Sequence, residues 1–230
     1  MSETTKFNDT ALAITGLDVV RGGRVVFENF NLTAGAGDLI VLRGPNGSGK
    51  STLIRTLAGL LLPSRGDISL NSVSTSDDPE TYRTKIALSG HQNGMKPALT
   101  LRQNLIHYAA VVLGVRVNDD ALEAAATALN LGDLLDDEVR YYSAGQLHRA
   151  GLAKLALSAR PLWLMDEPTV GLDAQNRASL VALIKNHLSA GGVVIAATHE
   201  DLGVDGKTIE MSDFTAISQP TSIWLDEEVA

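Results

Sequence analysis

The chain has 230 residues, of which 44% are hydrophobic and 21 are glycine, as expected for one soluble α/β domain with room for an inserted subdomain. It contains no cysteine, which excludes disulfides and thiolate metal sites, and its net charge of −8 argues against broad binding to nucleic acid. No apolar run approaches about 18 residues and the first residues form no apolar signal segment, so we expect no direct membrane span and no secretion signal.

The first part of the chain predicts an antiparallel hairpin followed by alternating strands and a helix. Residues 1–10 are polar and are expected to be frayed, whereas residues 11–20 and 24–32 have the pattern of two strands joined at Gly22 and Gly23. The following segments predict, in order, a buried strand at 38–42, a helix at 50–62, a turn at 63–66, a strand at 67–70, a loop at 71–80 and a strand at 85–89.

The middle of the chain changes to a helical pattern, which predicts an inserted α-helical subdomain at about residues 97–145. One amphipathic pattern in it begins with Asn104, Leu105, Tyr108, Val111 and Val112. A second amphipathic pattern covers residues 121–129.

The last third predicts more buried strands that alternate with helices. The segments are a helix at 145–159, a strand at 161–165, a helix at 174–188, a strand at 192–198 and one or two short strands within 207–225. This alternation indicates a mostly parallel sheet covered by helices on both faces. We expect a single domain over residues 11–212, with residues 1–10 and 213–230 as short terminal extensions.

A glycine-rich run between the strand at 38–42 and the helix at 50–62 carries the strongest functional signal. With Thr52 after it, the run fits the phosphate-binding P-loop pattern: Gly44, Pro45, Asn46, Gly47, Ser48, Gly49, Lys50 and Ser51. Glycines let backbone N–H groups turn toward phosphate oxygens, and the helix N-terminus adds a partial positive charge. Lys50 can reach the β- and γ-phosphates, and the Ser51 hydroxyl can ligate Mg²⁺. The purely structural alternative is a glycine turn, and the motif alone does not say how the nucleotide is used.

Two acids follow the apolar strand at 161–165. Asp166 and Glu167 stand at the strand's carboxyl end, where open α/β sheets place ligands. Asp166 can hold Mg²⁺ directly or through water, and Glu167 is then placed to polarise the attacking water as general base. The alternative is a loop or helix start that happens to carry two acids.

Taken together, five ordered motifs resemble those of the ATP-binding cassette (ABC) ATPases, and the resemblance covers about residues 11–212. The first two, in the family's order, are the P-loop and Gln92 at the Q-loop position. The third is the signature-like run Tyr142-Ser143-Ala144-Gly145-Gln146. The last two are the Walker B and D-loop stretch, formed by Asp166-Glu167-Pro168-Thr169 and then Leu172-Asp173, and His199 at the switch position. The resemblance implies a P-loop NTPase core with an N-terminal antiparallel β subdomain and an inserted helical subdomain.

The resemblance also implies that two chains sandwich two ATP molecules head to tail, with a second copy of the chain as the expected partner. The signature residues Ser143, Ala144, Gly145 and Gln146 would meet the ATP of the opposite subunit, and Asp173 would lie near that interface. ATP hydrolysis would use Glu167, His199 and Lys50. The magnesium ion would be held by Ser51, Gln92 and Asp166.

Several positions depart from the family pattern. The signature has Tyr142 for the usual Leu and Ala144 for the second Gly, and the D-loop has Val170-Gly171 where Ser-Ala is common. Arg21 stands where many members stack an aromatic ring on adenine. Because a guanidinium plane can also stack on a base, Arg21 is the candidate adenine contact.

The segment around Gln92 narrows the resemblance. Residues 89–96 and 99–105 are similar to the Gly-His-Gln-x-Gly-x-Lys, Leu-Thr and Glu-Asn-Leu pattern of the CcmA-type haem exporter ATPases of cytochrome c biogenesis, with Gln103 in place of Glu. This resemblance implies integral membrane permease partners that handle haem and a peripheral location on the cytoplasmic face of a bacterial inner membrane. ATP hydrolysis there would drive haem delivery or release of a haem-loaded chaperone.

Three alternatives stay open at this point. The ATPase subunit of another ABC importer or exporter would share the catalytic residues and differ in its membrane partner. A soluble ABC protein of translation or repair usually has two cassettes, a coiled-coil insertion or basic surfaces, whereas this chain has one cassette and a net charge of −8. A small-molecule P-loop kinase is disfavoured by the signature and by His199, and phosphate release without an acceptor would exclude it.

Overall fold

The computed structural model describes residues 7, 9–90 and 93–214, so the predicted Q-loop residue Gln92 and most of both terminal extensions lie outside the described residues. Nine strands and six α-helices are present in this part of the chain. In chain order they are β1 (Ala11–Arg21), β2 (Arg24–Gly35), β3 (Leu39–Arg43), α1 (Lys50–Leu57), β4 (Arg65–Leu70), β5 (Val73–Ser74), α2 (Pro79–Thr84), β6 (Ile86–Ser89), α3 (Leu101–Tyr108), α4 (Asp119–Thr127), α5 (Ala144–Leu157), β7 (Leu162–Asp166), α6 (Ala174–Ser189), β8 (Val193–Ala197) and β9 (Lys207–Glu210).

The strands form two sheets, as the sequence predicts. The N-terminal hairpin belongs to an antiparallel sheet with the order β2-β1-β4-β5. The second sheet has the order β6-β7-β8-β3-β9, and every neighbouring pair in it is parallel. Because Leu42 of β3 and Asp166 of β7 both pair with Ala197 of β8, the carboxyl ends of these three strands meet at one edge of the sheet.

Alternate residues of the parallel strands face two different hydrophobic cores. On β8, Ile195 packs in a core with the antiparallel sheet and α1, whereas Val194 packs in a core that also takes residues from α3 to α6. This period of two is that of a strand buried on both faces, which explains the uninterrupted apolar runs in the sequence. The parallel sheet is therefore the middle layer, and its loop-bearing edge is open to solvent.

The helix predicted at 50–62 is shorter than expected. It ends at Leu57, and Gly59 adopts a left-handed conformation with φ of 67°. The N–H of Gly59 donates to the Thr56 carbonyl and the N–H of Leu60 donates to the Arg55 carbonyl, which is the Schellman pattern. The apolar residues after Gly59 continue the helical pattern, which is why the sequence predicts a longer helix.

The amphipathic pattern predicted from Asn104 is wrong at its end. After α3 the chain forms a π-helical turn, Ala109–Leu113, which changes the angle between successive residues. Val111 and Val112 consequently point outward and are 67% and 47% exposed, whereas Asn104 and Leu105 are buried.

The loop predicted at 71–80 is also wrong in part. It contains β5, and α2 begins at Pro79. Asp78 caps this helix, since its side chain accepts a hydrogen bond of 3.0 Å from the N–H of Thr81. Asp followed by Pro is a recognised start signal for a helix, so the sequence did carry the information.

Candidate nucleotide site

The glycine-rich run connects β3 to α1 at the open edge of the parallel sheet. Gly44, Gly47 and Gly49 have φ values of 129°, 85° and 96°, and Gly49 stands at the N-cap position of α1. Lys50 is buried, and its Nζ turns back over the loop to donate to the carbonyls of Gly44 at 2.7 Å and Pro45 at 3.1 Å. The loop thus curves around the Lys50 ammonium group and leads directly into the N-terminus of α1. Both features favour the binding of phosphate.

Ser51 and Asp166 meet although 115 residues separate them in the chain. The Ser51 hydroxyl donates to Oδ1 of Asp166 at 2.9 Å, across the end of β8. Asp166 is only 8% exposed, so the protein shields most of this residue from solvent. Two adjacent oxygen donors with an open side are suited to a hard cation that also binds phosphate and water.

Glu167, His199 and Asn46 form a second cluster beside this pair. Glu167 has a φ of 52°, and its N–H donates to the Ala197 carbonyl at 2.8 Å. Oε1 of Glu167 lies 3.7 Å from Nε2 of His199, which in turn lies 3.2 Å from Oδ1 of Asn46. The structure therefore brings the predicted base and the predicted switch histidine together beside the P-loop.

An open cleft of about 410 Å³ runs along these groups. It is lined by Asn46, Gly47, Gly49, Lys50, Ser51, Thr52, Arg55, Asp166 and Glu167. Sequence reasoning missed Arg55, although it stands four residues after Ser51 and so on the same face of α1. It also missed the contact of Asn46 with His199, which depends on the pairing of distant strands.

The signature-like run begins α5 and does not line this cleft. Ser143 caps the helix by a capping box, in which its Oγ accepts from the N–H of Gln146 and Gln146 Oε1 accepts from the N–H of Ser143. Ala144 and Gly145 border a neighbouring cavity of about 240 Å³, which shares Asp166 and Glu167 with the cleft. A Cβ on Gly145 would stand 3.3 Å from the Gly171 carbonyl, so the signature and the D-loop pack closely within one chain.

Asp173 has a structural task in the described chain. Its Oδ1 caps α6, accepting from the N–H of Asn176 at 2.8 Å and from the Asn176 side chain at 2.9 Å. Val170, just before it, is 54% exposed. The role predicted for Asp173 at a subunit interface stays a prediction.

Arg21 is not brought to the cleft. It ends β1 opposite Arg24, is exposed, and is not among the residues that line the cleft. The side chains that contact the P-loop from this sheet are Val26 and Phe27, which would stand 3.0 Å and 3.1 Å from a Cβ on Gly49. Adenine contact by Arg21 therefore stays a prediction.

A groove of about 540 Å³ lies beside α1 and shares Arg55 and Asp166 with the P-loop cleft. It is lined by Ile54, Arg55, Leu60, Leu61, Leu88, Gly90, Lys154 and Asp166. Leu60 and Leu62, after the end of α1, are 62% and 85% exposed. None of the helices in residues 7, 9–90 and 93–214 combines the length and apolar character needed to cross a bilayer.

Comparison with known proteins gives one family. The family model described as ABC transporter matches residues 27–170. The cytochrome c biogenesis ATP-binding export protein CcmA of Ruegeria pomeroyi is 42% identical over 209 residues, covering 91% of this chain and 95% of that protein. The protein of the same name from Paracoccus denitrificans is 43% identical over 206 residues, covering 89% and 90%.

Solved structures agree on the fold. A putative ABC transporter ATP-binding protein from Pyrococcus furiosus has a TM-score of 0.79 at 25% identity, and the match covers 89% of this chain and 99% of that one. An ATP-binding cassette, solved as a dimer bound to ADP and Pi, has a TM-score of 0.73 at 24% identity, with 82% and 88% covered. The predicted fold class, a P-loop core with an antiparallel β subdomain and inserted helices, is confirmed.

Proposed function

Since the chain belongs to the ABC transporter ATP-binding family and is an ATPase that binds ATP, we propose that it energises a membrane export complex of cytochrome c biogenesis. The transported or released species in this proposal is haem or a haem-loaded chaperone. The observation that carries the catalytic part is the contact of Ser51 with Asp166 in the cleft, together with the approach of His199 to Glu167, which also lines the cleft. Residues 11–212 would make up the whole ATPase domain, with the helical subdomain at about 97–145.

The site residues have distinct tasks in this proposal. Lys50 and the backbone N–H groups of the P-loop bind the phosphates. Glu167 accepts a proton from the attacking water, and His199, held near Asn46, donates a hydrogen bond to the γ-phosphate. Ser51 and Asp166, with Gln92, would hold Mg²⁺, which neutralises phosphate charge when bound. The adjacent oxygens of Ser51 and Asp166 fit such an ion.

The proposal includes a head-to-tail homodimer. Ser143 and Gln146 do not line the cleft that contains Lys50, so one chain leaves this cleft without its signature motif. A second copy would supply Ser143, Ala144 and Gly145 to the γ-phosphate, and Asp173 would lie close to the contact. The exposed Val170 is expected to be covered by that second copy.

The membrane partners are proposed to be permease subunits that seat in the groove beside α1. The groove is lined by the exposed Leu60 and by Asp166 of the nucleotide site, so an occupant of the groove would contact both. In this proposal the chain is peripheral, on the cytoplasmic face of a bacterial inner membrane. No nucleic acid partner is proposed, because the chain has a net charge of −8.

The decisive experiment on the catalytic part is Glu167→Gln. Loss of the base should lower ATP hydrolysis by about a hundredfold, while ATP binding is retained. The variant should accumulate as an ATP-bound dimer, visible as a doubled mass in size-exclusion chromatography with light scattering. Glu80→Gln, an exposed change in α2, serves as the matched control and should hydrolyse ATP like the wild type. Unchanged hydrolysis in Glu167→Gln would overturn the assignment.

The export partner is tested separately by co-purification from membranes. A pull-down with the full chain should recover integral membrane proteins that bind haem, detected by their absorption spectrum. Two results together would favour another ABC transporter instead. The pull-down would recover a permease without haem, and a strain in which the chain is deleted would still make cytochrome c normally.

A further inference from the structure

Lys154, in the third turn of α5, is an inward-facing cation that none of the predicted steps uses. Its Nζ donates to the backbone carbonyl of Asn93 and lies 5.4 Å from the centre of the Tyr108 ring. The five ion pairs found in the described part of the chain do not include Lys154. Burial lowers the pKa of this ammonium group, so its position has an energetic cost that an apolar side chain would avoid.

The segment that Lys154 contacts is attached to two different helices. Asn93 also packs against α5 at Gly151, where an added Cβ would stand 3.1 Å from the Asn93 Cβ. Further along, Lys96 is held by Asn104 of α3, whose Oδ1 accepts from the Lys96 N–H at 2.7 Å and whose Nδ2 donates back to the Lys96 carbonyl at 3.1 Å. Residues 93–96 thus form a short bridge between α5 and α3. Among the described residues, the hydrogen bond from Lys154 is the only one that a side chain of α5 makes to this bridge.

This bridge lies between the sheet edge that carries Asp166 and the helix α5, which begins at the signature. It follows β6, whose end is joined to β7 and so to Asp166 through the sheet. At its other side, α5 is a continuous helix of 14 residues that begins at the signature residue Ser143. Lys154 and Gly90 also line the groove that reaches Asp166. Lys154 therefore attaches the segment that follows the sheet edge to the helix whose N-cap is Ser143.

We propose that Lys154 is a positioning residue for ATP hydrolysis, which ties residues 93–96 to the signature helix and so couples this segment to the helix that Ser143 caps. This inference rests on the proposed ATPase function and on the signature acting in a dimer. Lys154 contacts neither nucleotide site directly in the described chain, so its effect should fall on turnover and leave ATP affinity almost unchanged.

The test compares Lys154→Met with Lys154→Arg in the full chain. The Met variant keeps the stem but loses the donor, and it should lower kcat roughly tenfold, with KM for ATP within about twofold of wild type. The Arg variant restores a donor and a cation over Tyr108 and should recover most of the turnover. Lys185→Met, an exposed change in α6, is the matched control and should behave like wild type.

Gly151→Ala provides an independent test that leaves Lys154 in place. Its methyl group would press on Asn93 and displace the bridge, so kcat should fall even though alanine favours the helix over glycine. If Lys154→Met does not fold, judged by its melting curve and P-loop nucleotide binding, the kcat of this variant decides.

The outcomes separate the two claims. Wild-type turnover in both Lys154→Met and Gly151→Ala, or failure of Lys154→Arg to recover turnover while folded, would overturn the positioning role alone. Absence of ATP hydrolysis in the wild type, or full activity of Glu167→Gln, would overturn the proposed function and this inference with it.

Discussion

Glu167 has a backbone conformation that few residues other than glycine adopt. Its φ of 52° carries a cost of about 1 kcal/mol for an L-residue, and the hydrogen bond from its N–H to Ala197 holds it there. The same turn directs the carboxylate toward His199 instead of back along β7. Strain at this position is thus tied to the placement of the predicted base, and a glycine there would relax the backbone but remove the carboxylate.

His187 leads to a prediction about stability at acidic pH. Its ring stacks on Trp163 with centroids 3.8 Å apart, Gly192 packs against it, and its Nε2 has no hydrogen-bond partner. Burial lowers the pKa of His187 to about 4, against the opposing effect of the backbone at Pro161 and Val193. Because the unfolded chain takes up this proton near pH 6.5 and the folded chain only near pH 4, stability is lost as the pH falls through that window.

The measurement is urea unfolding at several pH values for wild type and His187→Phe. The phenyl ring keeps the stack but cannot be protonated, so the wild type should lose up to about 3 kcal/mol more than the variant between pH 7 and pH 4. His107→Phe, at an exposed histidine of α3, should keep the wild-type pH dependence. Parallel curves for wild type and His187→Phe would show that His187 is not the group responsible.

The contact between α1 and α2 depends on one buried hydroxyl group. Tyr82 is fully buried, and its hydroxyl donates to the Leu57 carbonyl at 2.8 Å, in the last turn of α1. Tyr82→Phe leaves that carbonyl without this partner in an apolar setting, which should lower the free energy of unfolding by about 1–2 kcal/mol. Chemical denaturation measures the change. Tyr141→Phe, at a tyrosine that is 77% exposed, should have no effect, and equal losses in the two variants would contradict the explanation.

Elements with a local signal could be predicted from the sequence, and those set by tertiary contacts could not. The strands of the parallel sheet are apolar on both faces, so their runs were visible, and the helix predicted at 174–188 matches α6. The π-helical turn at Ala109–Leu113 breaks the period of 3.6 residues on which the burial of Val111 depended. Arg160, two residues before β7, donates to the Val112 carbonyl in this turn, a contact that no local pattern indicates.

The same division applies to the site. The P-loop and the acids after β7 could be found because each is a short run of residues with its own chemistry. The contacts of Asn46 with His199, across 153 positions, and of Lys154 with Asn93, across 61, arise from strand order and helix packing, which the sequence predicts only in outline. Gln92 lies outside the described residues, so its predicted part in the site stays a prediction.

At the scale of the whole molecule, the separation of the P-loop from the signature predicts complementation between two inactive chains. Lys50→Met disables the P-loop of its own chain, and Ser143→Arg disables the signature that this chain offers to its neighbour. In a head-to-tail dimer of one chain of each kind, both defects fall in the same site and the other site is intact. If Lys50 and Ser143 of the same chain formed one site, every site in the mixture would carry one of the two defects and none would be intact.

Mixing the two purified variants should therefore restore ATP hydrolysis that neither has alone. With random pairing, half of the dimers are mixed and each has one intact site of two, so about a quarter of wild-type activity is expected if the sites act independently. A mixture of Lys50→Met with the double variant Lys50→Met/Ser143→Arg contains no intact P-loop and should stay inactive. Because Ser143 does not line the cleft that contains Lys50 of the same chain, absence of restoration in a mixture that forms ATP-dependent dimers would mean that the two motifs do not meet across the subunit contact.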